Sequence, residues 1–175
     1  GLGIVPTSST ITQLSIGDAL AVATMSKKKF SKFDFKKFHP SGSLGIKLKT
    51  VEDLMIKGKK IPFVSENTNM KIALKILSKK KLGVLIVKNK KNNTIGIITD
   101  GQIRRSGQKN KNLQKLTVKD IMTTNPISVN PEMLAAKALS LMNTKKITSL
   151  CVNTPKSKKT IGVIHIHNIL KANVQ

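Results

Sequence analysis

Thr94-Ile95-Gly96-Ile97-Ile98 recurs 66 positions later as Thr160-Ile161-Gly162-Val163-Ile164, and this repeat decides the fold. Two other blocks recur in the same order at offsets of 67 and 65 positions: residues 51–55 (VEDLM) as 118–122 (VKDIM), and residues 73–81 as 138–146. Since three blocks return in one order at nearly one spacing, residues 49–175 are two copies of one structural unit.

Each copy has the pattern of a β-α-β-β-α unit. A short helix carries the Val-x-Asp-Leu/Ile-Met block, and an extended piece rich in β-branched residues follows it. An amphipathic helix comes next, capped by Asn69 in the first copy and by Asn130 or Pro131 in the second. Two apolar strands then lead to a last helix, which begins at Asp100 or near His167. One copy has too small a sheet to be stable alone, so we expect an α/β fold in which both copies pack around a pseudo-twofold axis.

The composition is that of a globular protein. The chain has 175 residues, of which 39% are hydrophobic, and no stretch approaches the roughly 20 apolar residues that a membrane-spanning helix needs. Cys151, the single cysteine, allows no intrachain disulfide, and its apolar neighbours predict a small buried side chain. We therefore expect a cytoplasmic protein with no membrane partner. Its opening, Gly1 to Pro6, is typical of the tail of a longer polypeptide.

The net charge of +24 makes nucleic acid the first partner to consider. Arg104 and Arg105 are the only arginines among 32 basic residues, however, and the chain has no Trp or Tyr on which bases stack. Its lysines occur as short clusters at many separate places. Ile and Asn, which share A/T-rich codons with Lys, are also frequent, so a compositional bias of the genome explains the lysines. We expect no nucleic-acid partner.

The repeated blocks, with Thr99-Asp100-Gly101-Gln102 at the end of the second strand, resemble a tandem pair of CBS (cystathionine-β-synthase) domains. Upstream, residues 6–10 (PTSST), 17–23 (GDALAVA) and 39–45 (HPSGSLG) resemble the last part of a sugar isomerase (SIS) domain. In this order they resemble the D-arabinose-5-phosphate isomerase family. The resemblance implies a C-terminal SIS fragment over residues 1–48, a first CBS domain over 49–112 and a second over 113–175.

The family's reaction interconverts two sugar phosphates, D-ribulose 5-phosphate and D-arabinose 5-phosphate, without a redox cofactor. Its product feeds Kdo and lipopolysaccharide synthesis, and the family's usual assembly implies a homo-oligomer, a tetramer. The resemblance assigns acid/base catalysis to His39, whose imidazole titrates near neutral pH. The family's phosphate loop, catalytic Lys and catalytic Glu lie upstream of the matching part, so we expect this chain alone to be inactive.

The resemblance also implies a ligand cleft between the CBS repeats, at Thr99, Asp100, Gln102, His165 and Asn168. Neither copy keeps the acid that holds a ribose in nucleotide-binding CBS pairs, because Gln102 and Asn168 stand in its place. The missing acid argues against an adenine nucleotide, so the resemblance implies that the CBS pair packs and regulates the isomerase oligomer. Its effector is then a sugar phosphate or nucleotide sugar, with a nucleotide as the alternative, and no cofactor is expected.

Two of these residues have simpler interpretations. Asp100, at a strand-to-helix junction, is predicted to be a helix N-cap. His165 and His167 share a face of an extended segment and can both approach a metal ion, but no third ligand is evident, so no metal site is expected.

The alternative to an isomerase is a stand-alone CBS-pair regulatory protein that binds a small ligand or a partner enzyme without catalysis.

Overall fold

The computed structural model describes residues 6–38, 42–109 and 112–174. The chain divides into two compact units, Gly1–Leu48 and Lys49–Gln175. Within the described ranges, no helix combines the length and the apolar character needed to cross a bilayer.

The described part of the first unit is helical. Helix α1 (Ser8–Lys27) follows Thr7, α2 is Lys32–Phe38 and α3 is Ser43–Lys47. Asp34 holds the start of α2, because its Oδ2 accepts hydrogen bonds from the backbone N of Ser31 at 2.9 Å and from Ser31 Oγ at 2.7 Å. These bonds keep the pKa of Asp34 below its usual value.

The second unit repeats one order of elements, as predicted. In chain order they are α4 (Val51–Leu54), β1 (Ile56–Lys57), a 3-10 turn (Gly58–Lys60), β2 (Phe63–Ser65), α5 (Met70–Lys80), β3 (Val84–Lys88), β4 (Thr94–Thr99), α6 (Asp100–Lys109), a 3-10 turn (Leu113–Lys115), α7 (Val118–Ile121), β5 (Thr123–Thr124), β6 (Ser128–Val129), α8 (Ala135–Lys145), β7 (Ser149–Asn153), β8 (Thr160–His165) and α9 (Ile166–Lys171).

The strands form two four-stranded sheets that exchange one strand. Their orders are β2-β3-β4-β5 and β1-β8-β7-β6. Strand β1 of the first copy pairs antiparallel with β8 of the second, while β5 of the second copy pairs antiparallel with β4 of the first. Each sheet therefore contains three strands of its own copy and one short strand of the other. This arrangement gives the pair its pseudo-twofold symmetry.

Strands β3 and β7 are buried on both faces, which explains their unbroken apolar runs. On β3, Leu85 and Val87 lie in a core with Met70 and Ala73 of helix α5. The alternate residues Val84 and Ile86 lie in a second core, which they share with Cys151 and Val163 of the other copy. Apolar side chains of both copies thus fill the space between the two sheets.

The repeated sequence blocks contact each other across the copies. Met122 of the second copy packs on Gly96 of the first, where an added Cβ would lie 2.6 Å from the methionine sulfur. Met55 of the first copy packs in the same way on Gly162 of the second. The glycines are needed because a side chain would occupy the space of the methionines. On the pseudo-axis, Thr94 Oγ1 donates to its counterpart, Thr160 Oγ1, at 2.8 Å.

The two copies differ in how the central helix begins. Asn69 caps α5 as predicted, since its Oδ1 accepts from the backbone N of Lys71 at 2.8 Å. The prediction for α8 is wrong: this helix begins at Ala135, after Leu134, and not after Asn130 or Pro131. Its first amide is satisfied from the other copy, because Ala135 N donates to the carbonyl oxygen of Lys49 at 2.8 Å.

Candidate functional site

Two clefts in the second unit occupy equivalent positions in the two copies. Cleft A is a cavity of about 290 Å³ lined by Ile97, Thr99, Gln102, Arg105, Thr123, Asn125, Pro126, Ile127, Lys146, Ile147, Thr148 and Ser149. Cleft B is a cavity of about 440 Å³ lined by Ile56, Lys81, Leu82, Gly83, Asp100, His165, His167, Asn168 and Lys171.

The repeat offset of 66 relates the two linings. Thr99 of cleft A corresponds to His165 of cleft B, Gln102 to Asn168, and Arg105 to Lys171. The five residues predicted for one cleft are therefore divided between two. Thr99 and Gln102 lie in cleft A, whereas Asp100, His165 and Asn168 lie in cleft B.

Asp100 is directed into cleft B by the backbone that precedes β3. Its backbone N donates to the carbonyl oxygen of Gly83 at 3.1 Å. Gly83 has a φ of +64°, and a Cβ built there would lie 2.7 Å from Asp100 Oδ2. Both the positive φ and the close carboxylate require glycine at this position.

Thr99, not Asp100, precedes the first turn of α6, so the N-cap prediction for Asp100 is wrong by one residue. The Gln102 side-chain oxygen accepts from Thr99 N at 2.7 Å and from Thr99 Oγ1 at 3.1 Å. This is the reciprocal part of a capping box. The Gln102 amide nitrogen donates to Thr123 Oγ1 of the other copy. Gln102 therefore fastens α6 to β5, and its oxygen is already engaged.

The lining of cleft A combines cations, hydroxyl groups and an apolar side. Arg105 and Lys146 supply the charge, and none of the described residues that line this cleft is a carboxylate. Thr148 and Ser149 add hydroxyl groups to the lining. Ile147 belongs to its apolar side. Such a lining fits an anionic ligand that also has an apolar face.

Cleft B has a mixed charge and two imidazoles. The rings of His165 and His167 lie 4.9 Å apart between centroids, at 33° to each other. His165 precedes helix α9, and its Nδ1 accepts from the backbone N of His167 at 3.2 Å. Burial lowers the pKa of His165, the neighbouring His167 lowers it further, and the carboxylate of Asp100 opposes both effects.

Neither a metal site nor the predicted catalytic residue is seen in the described part of the chain. No group of three or more His, Cys, Asp or Glu side chains is placed to hold a metal ion among the described residues. His39 lies outside those residues, and its catalytic role stays a prediction. Cys151 is fully buried, as predicted, and burial raises the pKa of its thiol to about 11.

The cationic residues of both clefts were missed by sequence reasoning. Lys81 and Lys146 end equivalent helices with left-handed φ values of 54° and 53°. Arg105 and Lys171 stand three residues after the predicted Gln102 and Asn168. The repeat itself is the signal that could have found them. A basic residue recurs at the same place in both copies, close to the residues predicted for the cleft.

Comparison with protein families gives one match to the second unit. The CBS domain profile matches residues 51–108 and 118–175.

Comparison with curated proteins extends the similarity to the first unit. The arabinose 5-phosphate isomerase KdsD of Escherichia coli (strain K12) is 39% identical over 174 residues, which are 99% of this chain and 52% of that protein. An uncharacterized protein of Rickettsia prowazekii (strain Madrid E) is 38% identical over 169 residues, 97% of this chain and 52% of the relative. The chain thus spans about half the length of the curated relatives that it matches.

Among solved structures, the crystal structure of CBSX2 in complex with AMP superimposes with a TM-score of 0.61 at 26% identity. The match covers 71% of this chain and 95% of the other.

Proposed function

The chain belongs to the CBS domain family, and from that premise we propose that it is the C-terminal half of an arabinose-5-phosphate isomerase, whose CBS pair regulates and assembles the enzyme. The observation that carries the proposal is the extent of the similarity. CBSX2 matches 71% of the chain, whereas the E. coli isomerase matches 99%. Residues upstream of the CBS pair are therefore also similar to an isomerase, which a stand-alone regulatory pair does not explain.

The surface of helix α1 supports the same proposal. Six large apolar side chains of this helix are exposed: Ile11, Leu14, Ile16, Leu20, Val22 and Met25. Apolar side chains exposed at this density along one helix are typical of a surface that another part of the protein covers. In the proposed enzyme, the upstream part of an SIS domain covers α1.

The proposed reaction is the interconversion of D-ribulose 5-phosphate and D-arabinose 5-phosphate. The proposed enzyme is a cytoplasmic homotetramer, and its product supplies Kdo and lipopolysaccharide synthesis. His39 is the acid/base residue that this chain contributes, because an imidazole both gives and takes a proton near neutral pH. The remaining catalytic groups come from the upstream half. The chain by itself is therefore inactive.

A chimeric enzyme tests the proposal. Residues 1–175 replace the matching C-terminal half of the E. coli relative, and isomerisation of arabinose 5-phosphate is assayed beside the chain alone. We expect turnover by the chimera only, reduced by about 10²- to 10⁴-fold in His39→Ala. Lys75→Ala, at an exposed position of α5 that lines neither cleft, is the control and keeps full activity. A folded but inactive chimera would favour the stand-alone regulatory protein.

We propose further that cleft A binds the effector, a nucleotide or nucleotide sugar. Its apolar side accepts a base, while Arg105 and Lys146 face the phosphate. The complex of CBSX2 with AMP supports this ligand class. Because the oxygen of Gln102 is engaged with Thr99, ribose recognition is weaker than with a free carboxylate.

Calorimetric titration with AMP, ATP and CMP-Kdo tests cleft A. Arg105→Gln is expected to lower the affinity for the ligand by about five- to tenfold, since it removes one charge-assisted contact. Arg104→Gln is the matched control, because Arg104 is the preceding residue on α6 and does not line the cleft. Equal losses in both variants would place the ligand elsewhere.

A further inference from the structure

Two turns rich in lysine meet at one end of the CBS pair. One joins β3 to β4 through residues 88–93, and its equivalent joins β7 to β8 through residues 153–159. The turns are in contact, since the backbone N of Thr94 donates to the carbonyl oxygen of Lys158 at 2.8 Å. The basic residues of both turns, which we call the lysine surface, are Lys88, Lys90, Lys91, Lys156, Lys158 and Lys159.

The lysine surface lies away from clefts A and B. Thr99 of cleft A ends β4 and Ser149 begins β7, whereas the lysine surface joins the other ends of these strands. Cleft B includes Gly83, just before β3, and His165, at the end of β8, so it also lies at the opposite strand ends. A partner of the lysine surface therefore binds at a place separate from both clefts.

The charge of the lysine surface is not balanced by the described part of the chain. Neither turn contains Asp or Glu, and none of the six lysines forms a salt bridge with a described carboxylate. Lys88 lies instead with its Nζ 3.3 Å from the centre of the Phe63 ring. Burial lowers the pKa of Lys88, and the positive charge of Lys159 lowers it further. Since like charges repel here, an added anion is stabilising.

Both turns hold their lysines on an ordered backbone. In the first turn, Asn89 Oδ1 accepts from the backbone N of Lys91 and from that of Asn93, each at 3.0 Å. In the second turn, Ser157 Oγ accepts from the backbone N of Lys159 at 3.1 Å. Because these side-chain bonds fix the turns before binding, a partner orders little backbone when it docks.

A cavity of about 640 Å³, which we call cavity C, opens beside the lysine surface and includes Lys158 in its lining. Thr124 and Ser128 add hydroxyl groups to this lining, Asn125 and Asn153 add amides, and no described carboxylate lines the cavity. Hydroxyl and amide groups both donate and accept hydrogen bonds, as the N–H and carbonyl groups of an extended peptide require. Cavity C therefore fits a peptide segment next to a row of ammonium groups.

The same region is poorly suited to other anionic partners. Nucleic acids gain affinity from Arg and from stacking on aromatic rings. The lysine surface contains no Arg, and Lys88 covers a face of the neighbouring Phe63 ring. A membrane surface is flat and supplies no segment to fill cavity C. A second copy of this chain carries the same net charge of +24 and is repelled.

We propose that the lysine surface and cavity C together form a docking site for an acidic segment of a partner protein. Carboxylates of this segment lie against the ammonium groups, and its backbone enters cavity C beside Lys158. The chain has only 8 Asp and Glu against 32 Lys and Arg, so it does not supply such a segment itself. The inference goes beyond the proposed function and does not depend on the isomerase reaction.

A fluorescein-labelled peptide of glutamates tests the site. Its binding to the 175-residue chain is measured by fluorescence anisotropy at about 50 mM and about 150 mM salt. The variant Lys90→Gln/Lys91→Gln/Lys158→Gln removes three charges from the lysine surface. We expect it to lose about tenfold or more in affinity at the lower salt concentration, because close charge pairs with the peptide are lost.

A matched variant separates the lysine surface from the net charge of the whole chain. Lys71→Gln/Lys75→Gln/Lys137→Gln removes three charges from exposed positions of α5 and α8 that line none of the three cavities. We expect it to lose less than about threefold in affinity. Equal losses in the two triple variants would overturn the inference.

Ser128→Phe tests cavity C without changing any charge. A ring at this position fills part of the cavity, and we expect the peptide to bind about fivefold more weakly. Ser140→Phe, at an exposed position of α8, is the control and binds the peptide like the wild type. Circular dichroism verifies the fold of both variants. Unchanged binding by folded Ser128→Phe would overturn the role of the cavity.

A last comparison tests the class of partner. A single strand of thymidine nucleotides and vesicles of phosphatidylglycerol and phosphatidylcholine in equal parts are titrated beside the peptide. We expect the peptide to bind more tightly than either at about 150 mM salt. Tighter binding of the strand or of the vesicles, lost in the lysine-surface variant, would overturn the acidic segment as partner. An inactive chimeric enzyme, with these results intact, would overturn only the proposed function.

Discussion

Clefts A and B lie at equivalent places in two copies of one unit, but their linings have diverged. The contacts that hold the copies together remain symmetrical: Met122 on Gly96 has its counterpart in Met55 on Gly162. Apart from the buried Ser149, the cleft residues are half-buried or exposed, and among them Thr99 is matched by His165. Buried contacts between the copies restrict both sequences at once, whereas a cleft lining is free to take up different chemistry. The pair is thus a symmetrical frame that carries two different sites.

The largest expected effect concerns the buried core between the two sheets. Cys151 is fully buried at the position equivalent to Ile86, between the two sheets. Burial raises the pKa of its thiol to about 11. We therefore expect its reaction with a thiol reagent near pH 8 to be at least about 100-fold slower in the folded chain than in urea. Rapid labelling without denaturant would show that the copies separate readily.

The second effect tests the symmetry of the methionine contacts. Gly162→Ala places a Cβ 2.2 Å from the sulfur of Met55 and 3.3 Å from the backbone oxygen of Ile56. We expect a loss of about 1–3 kcal/mol in the free energy of unfolding, and a smaller loss for Gly96→Ala, where only the Met122 side chain must move.

Urea-dependent labelling of Cys151 measures both variants, because the chain has no Trp or Tyr for fluorescence. Gly107→Ala is the control. Gly107 lies in helix α6 with open space around its Cα, so alanine there is expected to stabilise by about 0.5–1 kcal/mol. Equal effects of all three substitutions would show that the methionine side chains do not restrict the space at Gly162 and Gly96.

A third prediction concerns the two capping boxes, which start α4 at Thr50 and α7 at Thr117. Asp120→Ala is expected to destabilise the chain, because it removes both hydrogen bonds that Thr117 donates to this carboxylate. The bonds from Thr117 lower the pKa of Asp120, so this stabilisation is present above its ordinary value of 3.8 and is lost as the pH falls below it. Urea titrations of the wild type and of Asp120→Asn between about pH 3 and pH 6 measure the slope. A wild-type slope that persists in the variant would assign it to other carboxylates.

The smallest expected effect separates cleft B from cleft A. Because the pKa of His165 lies below its ordinary value of 6.5, the unfolded chain takes up a proton near that pH before the folded chain does. The free energy of unfolding therefore decreases as the pH falls below about 6.5. His165→Asn is expected to flatten this decrease, as measured by urea titration without added anions. An unchanged decrease in the variant would show that another group causes it.

The repeat made most of the CBS pair predictable. Strands β3, β4, β7 and β8 lie within one residue of the apolar runs 83–87, 95–98, 149–152 and 161–164, which predict them because each run ends at polar turns. Strands β1 and β5 were not predicted. Each has two residues and is a strand only because the other copy supplies its partner, which local sequence does not encode.

The candidate site was predictable only in part. Thr99 and Gln102 were implied by the resemblance to CBS domains, but their capping role depends on the exact start of α6. Arg105 and Lys146 belong to a chain with 32 basic residues, so their residue type alone does not distinguish them from the basic residues outside the cleft. Their selection requires knowing that α6 and the end of α8 meet at one cavity.

The exchange of β1 and β5 has a consequence for how such a pair arises. A single copy, expressed alone, would leave the outer edge of its three-stranded sheet without a neighbour, and its own two-residue strand would have no sheet to join. Two identical copies satisfy both needs at once by trading these strands across a true twofold axis. The tandem chain is therefore equivalent to a homodimer fused into one polypeptide, in which two formerly identical pockets became independent.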